Sequence, residues 1–216
     1  MEKLIIYPYS ISFSPFLRHL AAINKYNIIS AVVPGKQVYN DIDASYIDEG
    51  PEIGVLLQSD FEKQLEKCET ILWSNYEYIE NQHYFDKVIF QMENALEINK
   101  NIICYQKLNF EIVENLKLIA KKNNCNFKYI YDYEDKDTET YELDQKDEDI
   151  YVPIITVMGV SENCSKFETQ LSIRRDLINR GYKVSQIGSR EGCELLGFHS
   201  FPKFMTSNEL WKRMKS

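Results

Sequence analysis

The sequence lacks any apolar run long enough to span a membrane, and it lacks a cluster of basic residues. Its apolar start is interrupted by Pro8 and Ser10, well short of a signal-peptide core. Without lysines and arginines interleaved with aromatics, the sequence predicts no basic surface that could bind the phosphates of a nucleic acid. We therefore expect a cytoplasmic protein that has neither a membrane nor a nucleic acid as its partner.

Paired metal-binding residues are also missing. The five cysteines and three histidines are spread along the chain, and no two have the spacing of a zinc knuckle, a redox pair or a helical metal site. We expect reduced thiols and no metal site from this set, which consists of Cys68, Cys104, Cys125, Cys164, Cys193, His19, His83 and His199.

Glycine is scarce where a dinucleotide-binding fold needs it. Only eight glycines occur in 216 residues, and the turn YPYSISFSP (7–15), which follows the first apolar run, contains none. Glycines in that turn would let the backbone approach a pyrophosphate, so we expect neither a dinucleotide site nor a cofactor. Ligands of open α/β sheets still collect at the carboxyl ends of the strands. Tyr9, Ser10, Ser74 and Asn75 are therefore candidate ligand-binding residues.

The acidity of the chain is confined to one segment. Residues 131–149 contain ten Asp or Glu and two Lys, a balance of −8 that equals the formal net charge of the whole chain. Such a run is typical of a solvated connector. We therefore predict a domain over 1–131, an acidic linker over 132–150, and a second unit over 151–216.

Short apolar runs alternate with amphipathic stretches in the first part, which indicates a parallel sheet with crossover helices. We predict an α/β protein whose N-terminal domain is Rossmann-like. A helix is predicted to open at Ser14 and Pro15, with Ser14 as its cap. The other predicted elements are strands over 4–10, 28–34, 70–75, 101–108 and 126–133, and helices over 61–67, 86–99 and 110–123.

After the acidic segment the pattern starts again as a β-α-β unit. It predicts a strand over 152–158, a helix over 166–180 that is ended by Gly181, and a strand over 182–187. Gly159 and Lys166 stand at the two ends of the loop before the helix, as in a phosphate-binding loop. The second unit is therefore predicted to be partly P-loop-like.

This loop lacks the second glycine and the hydroxyl of a phosphate-binding loop. Ser165 stands in the place of the glycine, and Phe167 stands in the place of the hydroxyl that would bind magnesium. A left-handed backbone at Ser165 would cost about 1–2 kcal/mol because of its Cβ. Glu162 and Glu168 bring negative charge toward the same space. We expect no nucleotide hydrolysis here, and we leave weak binding of a phosphate or a nucleotide open.

The loop still contains candidates for binding an anion or a partner, and we assign no catalytic residue. Cys164 precedes the helix N-terminus and lies two residues from Lys166, which makes it the expected most reactive thiol. No histidine is near it in sequence to act as its base. The candidates are Gly159, Ser161, Asn163, Cys164, Ser165, Lys166 and Thr169, with Ser189, Arg190 and Gly192 in a second loop.

Residues 152–204 resemble known families. The strand, loop and helix followed by SREGCELLG (189–197) resemble the P-loop domain of the DUF1611 type. The combination of NCSKF (163–167), GYKVSQIGS (181–189) and LLGFHSFP (195–202) is similar to a clostridial family of peptide maturation system proteins, encoded beside ribosomally made, modified peptides and radical-SAM enzymes. The resemblance implies a bacterial accessory protein whose partner is a precursor peptide or a peptide-modifying enzyme.

Several alternatives remain. A complete P-loop domain needs more strands than the pattern after residue 151 predicts, so we expect a truncated unit, or one that completes its sheet with the first domain or a partner. An exposed sheet edge or apolar helix face would then favour association, and a homo-oligomer is one such outcome. An ATP- or GTP-dependent enzyme that activates a peptide group would place Lys166 on the phosphates and Thr169 at the metal. A small-molecule sensor would use the strand ends near Ser10 and Asn75.

Overall fold

The computed structural model describes residues 1–23, 25–74, 82–131, 152–159, 165–188, 192–197 and 199–200. The chain divides into two compact units, Met1–Asp132 and Tyr133–Ser216. The predicted acidic linker lies outside the described residues.

Unit 1 contains a six-stranded sheet in which all neighbouring strands are parallel. The strand order is β3-β2-β1-β4-β5-β6, which is the Rossmann order, and the predicted α/β, Rossmann-like class is confirmed. The strands are β1 (Lys3–Tyr7), β2 (Asn27–Val32), β3 (Leu57–Gln58), β4 (Thr70–Trp73), β5 (Asn101–Cys104) and β6 (Phe127–Tyr129).

The described residues of unit 1 form four α-helices: α1 (Ser14–Ala22), α2 (Phe61–Leu65), α3 (Gln82–Glu97) and α4 (Phe110–Lys122). The connection from β2 to β3 contains two short 3-10 helices, Gln37–Tyr39 and Ala44–Ile47, in place of an α-helix. Asn109 caps α4, because its side chain accepts a hydrogen bond from the backbone N–H of Ile112 at 2.9 Å.

The central strands are buried on both faces, as parallel strands covered by crossover helices are. Alternate strand residues of one face, such as Ile5 and Trp73, join a single core with the apolar sides of the helices. Those helical positions include Phe61, Leu65, Val88, Met92, Val113 and Leu116. Burial of these side chains supplies the main driving force for the sheet.

The strands are shorter than their apolar runs predict. β1, for example, ends at Tyr7, whereas its predicted strand continues to residue 10. Pro8 and Tyr9, which follow the strand, are nevertheless buried, and Tyr9 is 2% exposed. The apolar pattern therefore indicates burial rather than strand pairing. The two-residue strand β3 was not predicted, since so short a strand leaves no periodic signal.

Unit 2 contains α5 (Lys166–Asn179), as predicted, and Gly181 follows it with a left-handed φ of +85°. Two-residue strands β7 (Ile187–Gly188) and β8 (His199–Ser200) pair in parallel, with a 3-10 helix at Cys193–Leu196 between them. Of the predicted strand over 182–187, only Ile187 belongs to a strand in the structure.

The structure differs from the prediction over 152–158, where it forms no strand. Ile154 is 72% exposed and Met158 is 84% exposed. An apolar run becomes a strand only when another strand satisfies its backbone groups, and no described residue of unit 2 pairs with this segment.

None of the helices in the described part of the chain is long and apolar enough to cross a membrane.

Candidate functional site

The carboxyl edge of the sheet in unit 1 is where an open α/β fold binds its ligands. The strand order reverses between β1 and β4, so this edge has its switch point there. The structure brings Tyr9, Ser10 and Ser74 to this edge, because they follow β1 and β4 directly. Asn75 lies outside the described residues.

The switch point is joined by hydrogen bonds within the chain. The Ser74 N–H donates to the Tyr7 carbonyl at 2.9 Å, and the Ser74 hydroxyl donates to the Pro8 carbonyl. Ser74 is completely buried. Both of its donors are therefore used between the two strand ends.

Tyr9 is also held inside the chain. Its N–H donates to the Val32 carbonyl at 2.7 Å, and its hydroxyl donates to the Ala44 carbonyl at 3.4 Å. Burial raises the pKa of the Tyr9 hydroxyl to about 12, so it remains protonated at neutral pH. Ser10 is less buried, and its hydroxyl lies 3.0 Å from that of Ser12.

The first turn of α1 contacts a carboxylate from the β2–β3 connection. The Ser14 hydroxyl donates to Asp48 Oδ2. Arg18, one turn further along, donates from Nε to the same oxygen at 2.9 Å and from Nη2 to Asp48 Oδ1 at 2.6 Å. Each side chain of this ion pair is 19% exposed. The hydrogen bonds from Arg18 are the largest cause that lowers the pKa of Asp48 to about 2.

These contacts correct the prediction that Ser14 caps α1. Phe13 occupies the N-cap position without a side-chain hydrogen bond, and Ser14 is the first helical residue. The serine followed by a proline predicted the start of the helix correctly. The predicted partner of the Ser14 hydroxyl, a backbone N–H of α1, was wrong, because the hydroxyl donates to Asp48. Its partner is 34 residues away in sequence.

Aromatic rings pack beside the start of α1. The Phe13 and Phe16 ring centroids are 4.8 Å apart, and both rings contact Tyr105, which follows β5, at 5.9 and 5.2 Å. Phe13 and Tyr105 are each 8% exposed. This side of the helix start is therefore apolar and packed.

A Rossmann-like strand order implies a dinucleotide with its pyrophosphate at the α1 N-terminus. The residues present do not fit that group. The turn 8–13 contains no glycine to let the backbone approach phosphate, and the first turn of α1 already contacts the Asp48 carboxylate.

A surface pocket of about 500 Å³ lies in the same β2–β3 connection, lined by Ile42, Asp43, Ser45, Tyr46, Glu49 and Gly50. The Asp43 carboxylate accepts hydrogen bonds from the N–H groups of Ser45, Ile53 and Gly54 at 2.8 to 3.1 Å. Asp43 therefore organises the turn. A Cβ at Gly50 would collide with the guanidinium of Arg18, which explains the glycine beside the ion pair.

The N-terminus of α5 in unit 2 holds the described part of the predicted anion loop. Ser165 has the left-handed backbone that the second glycine of a phosphate loop would have, with φ 52° and ψ 31°. The Thr169 hydroxyl donates to the Ser165 carbonyl at 2.9 Å. Phe167 is 8% exposed and therefore buried, while Lys166 is exposed.

The remaining predicted loop residues are only partly described. Gly159 is exposed, and Gly192 is buried with a left-handed φ of +79°. Ser161, Asn163 and Cys164 lie outside the described residues, as do Ser189 and Arg190. Among the residues that the structure describes, no group of three or more His, Cys, Asp or Glu side chains could hold a metal ion.

No known protein family matches the sequence, and no curated protein matches it. The structure is similar to an amine dehydrogenase from Mycobacterium smegmatis, with 14% identity and a TM-score of 0.41, over 58% of this chain and 38% of that one. It is also similar to a homoserine dehydrogenase from S. aureus, with 14% identity and a TM-score of 0.42, over 59% of this chain and 32% of that one. The chain thus spans less than two fifths of either enzyme, and likeness at this level carries no argument about activity.

Proposed function

We propose that this chain is a non-catalytic accessory protein in the maturation of a ribosomally made, modified peptide. It acts in the cytoplasm and binds a precursor peptide or a peptide-modifying enzyme. The loop before α5 and the first turn of that helix, with Lys166, provide the contact to an anionic group of the partner.

The observation that carries this proposal is the chemistry of the α5 N-terminus. Ser165, directly before α5, has the left-handed backbone that the second glycine of a phosphate-binding loop would have. Phe167 stands in the place of the magnesium-binding hydroxyl and is a buried side chain without a ligand atom, and the Thr169 hydroxyl donates to the Ser165 carbonyl. Such a site favours binding of an anionic group over turnover of a magnesium nucleotide.

The proposal is tested by titrating a fluorescently labelled precursor peptide, encoded beside the gene, with the full chain. We expect saturable binding that Lys166→Ala weakens at least several-fold, because one cation at a helix N-terminus is lost. Lys183→Ala is the matched control, since Lys183 is another exposed lysine of unit 2. The proposal fails if neither the peptide nor a co-encoded modifying enzyme binds.

A second candidate is an ATP- or GTP-dependent enzyme, which the left-handed Ser165 also favours. The two functions differ in their response to nucleotide. We expect no magnesium-dependent rise in Tm with ATP or GTP at millimolar concentration. A rise of several degrees in the original chain and in Lys183→Ala, but not in Lys166→Ala, would favour the enzyme.

A further inference from the structure

We infer that the ligand crevice of the Rossmann-like sheet is filled by the chain's own side chains. Unit 1 therefore takes no dinucleotide at its switch point. This inference is independent of the role in peptide maturation, because it concerns residues 8–18 and their contacts in unit 1 only. Three separate closures carry it.

The first closure lies between β1 and β4. A dinucleotide lies across the crevice that opens where the strand order reverses. Here the buried Ser74 donates two hydrogen bonds across that point, to the carbonyl groups of Tyr7 and Pro8. The bond from the Ser74 N–H continues the β1–β4 ladder, whereas the bond from its hydroxyl is a side-chain contact at the strand ends. A ligand that took the Ser74 hydroxyl as its partner would have to break the bond to the Pro8 carbonyl, which is unfavourable.

The second closure is electrostatic. The first turn of a helix attracts an anion, and in α1 that turn already contacts the carboxylate of Asp48 through Ser14. Arg18 neutralises this carboxylate with two hydrogen bonds. A pyrophosphate would add further negative charge beside Asp48, and the nearby cation is already engaged. The chain thus supplies its own anion where the fold would otherwise accept one.

The third closure is apolar. Phe13, Phe16 and Tyr105 form a packed set of rings beside the start of α1. Tyr9, in the turn before α1, is 2% exposed, and its hydroxyl donates to the Ala44 carbonyl. Phosphate oxygens placed against the faces of these rings would lose their hydration, and Phe13 and Phe16 offer no hydrogen-bond donor in return.

Hydrogen exchange of the full chain tests the inference, with and without millimolar NAD⁺, NADP⁺ or ADP-ribose. We expect the amides of residues 8–18 to exchange at the same rate in all conditions. Protection of these amides by a nucleotide, several-fold or more, would overturn the inference. Protection confined to amides of unit 2, with unchanged exchange of residues 8–18, would support the inference. The experiment thus distinguishes nucleotide binding at α5 from nucleotide binding at the sheet of unit 1.

A second arm tests whether Asp48 holds the closure. Asp48→Asn keeps the shape of the side chain and removes its charge, and we expect exchange of residues 8–18 to rise several-fold. Glu49→Gln is the matched control, because Glu49 is an exposed neighbour. Unchanged exchange in Asp48→Asn would show that this carboxylate does not hold the segment, and the electrostatic closure would be refuted.

Discussion

The ion pair between Asp48 and Arg18 should make a measurable contribution to the stability of unit 1. In Asp48→Asn the side chain keeps its size but loses its charge and one of its acceptor oxygens. The lowering of the Asp48 pKa from 3.8 to about 2 measures how much folding favours the charged form. At about 1.4 kcal/mol per pKa unit, and with a reduction for solvent at this partly exposed pair, the loss is about 1–2 kcal/mol.

The loss should depend on pH in a defined direction. Because the pKa of Asp48 is lower in the folded chain than in the unfolded chain, its contribution is complete above the unfolded value. It is lost as the pH falls through about 4 toward about 2. Urea unfolding followed by circular dichroism at neutral pH should therefore give a lower midpoint for Asp48→Asn, and the difference should shrink in acid.

Controls separate this effect from general damage to the connection. Glu49→Gln removes a neighbouring exposed charge and should change stability little. A double-mutant cycle combines Asp48→Asn with Arg18→Gln. The sum of the two single losses in unfolding free energy should exceed the loss in the double variant, because the two side chains interact directly. A constant difference between Asp48→Asn and the original chain from neutral pH to acid would refute the reasoning.

Three further predictions concern other elements. Asn109→Ala should lower the free energy of unfolding by about 1 kcal/mol, and Asn109→Ser should restore most of it, measured by urea unfolding. Ser165→Gly should raise stability by about 0.5–1 kcal/mol by removing left-handed strain, whereas Ser172→Gly within α5 should lower it by about 0.5 kcal/mol; an equal effect of both would contradict this. Burial raises the pKa of Cys68 to about 11 and of Cys104 to about 12, so iodoacetamide mapping by mass spectrometry should find both unlabelled at neutral pH until the chain is denatured.

The sheet of unit 1 could be predicted because its physical cause is local. Each central strand is buried on both faces, so its sequence is a continuous run of apolar residues that can be recognised without the structure. Lys166 opens α5 and Gly181 ends it, as the pattern predicted, since helix ends depend on residues close in sequence. Predictions of this kind need no knowledge of distant contacts.

Other features depend on contacts that the sequence does not display. Arg18 and Asp48 are 30 residues apart, and their pairing follows from how the β2–β3 connection packs on α1. The run DIDASYIDEGP (41–51) indicates a turn-rich segment, but it does not indicate which acid faces the helix. The predicted strand over 152–158 was wrong for the same reason. The prediction was based on the apolar composition of the segment, whereas a strand also needs a pairing strand from elsewhere in the chain.

Both positions where a nucleotide could be expected share one physical property. Hydroxyl groups that could donate to a ligand instead donate to groups within the chain: Ser14 and Ser74 in unit 1, and Thr169 in unit 2. An internal bond stabilises the fold without a ligand, but a ligand must then break it before gaining its own contact. The backbone shape at Ser165 therefore does not by itself imply nucleotide chemistry. Because side chains decide what a backbone of given shape can bind, we base the proposed partner contact on the exposed Lys166 and not on the backbone shape alone.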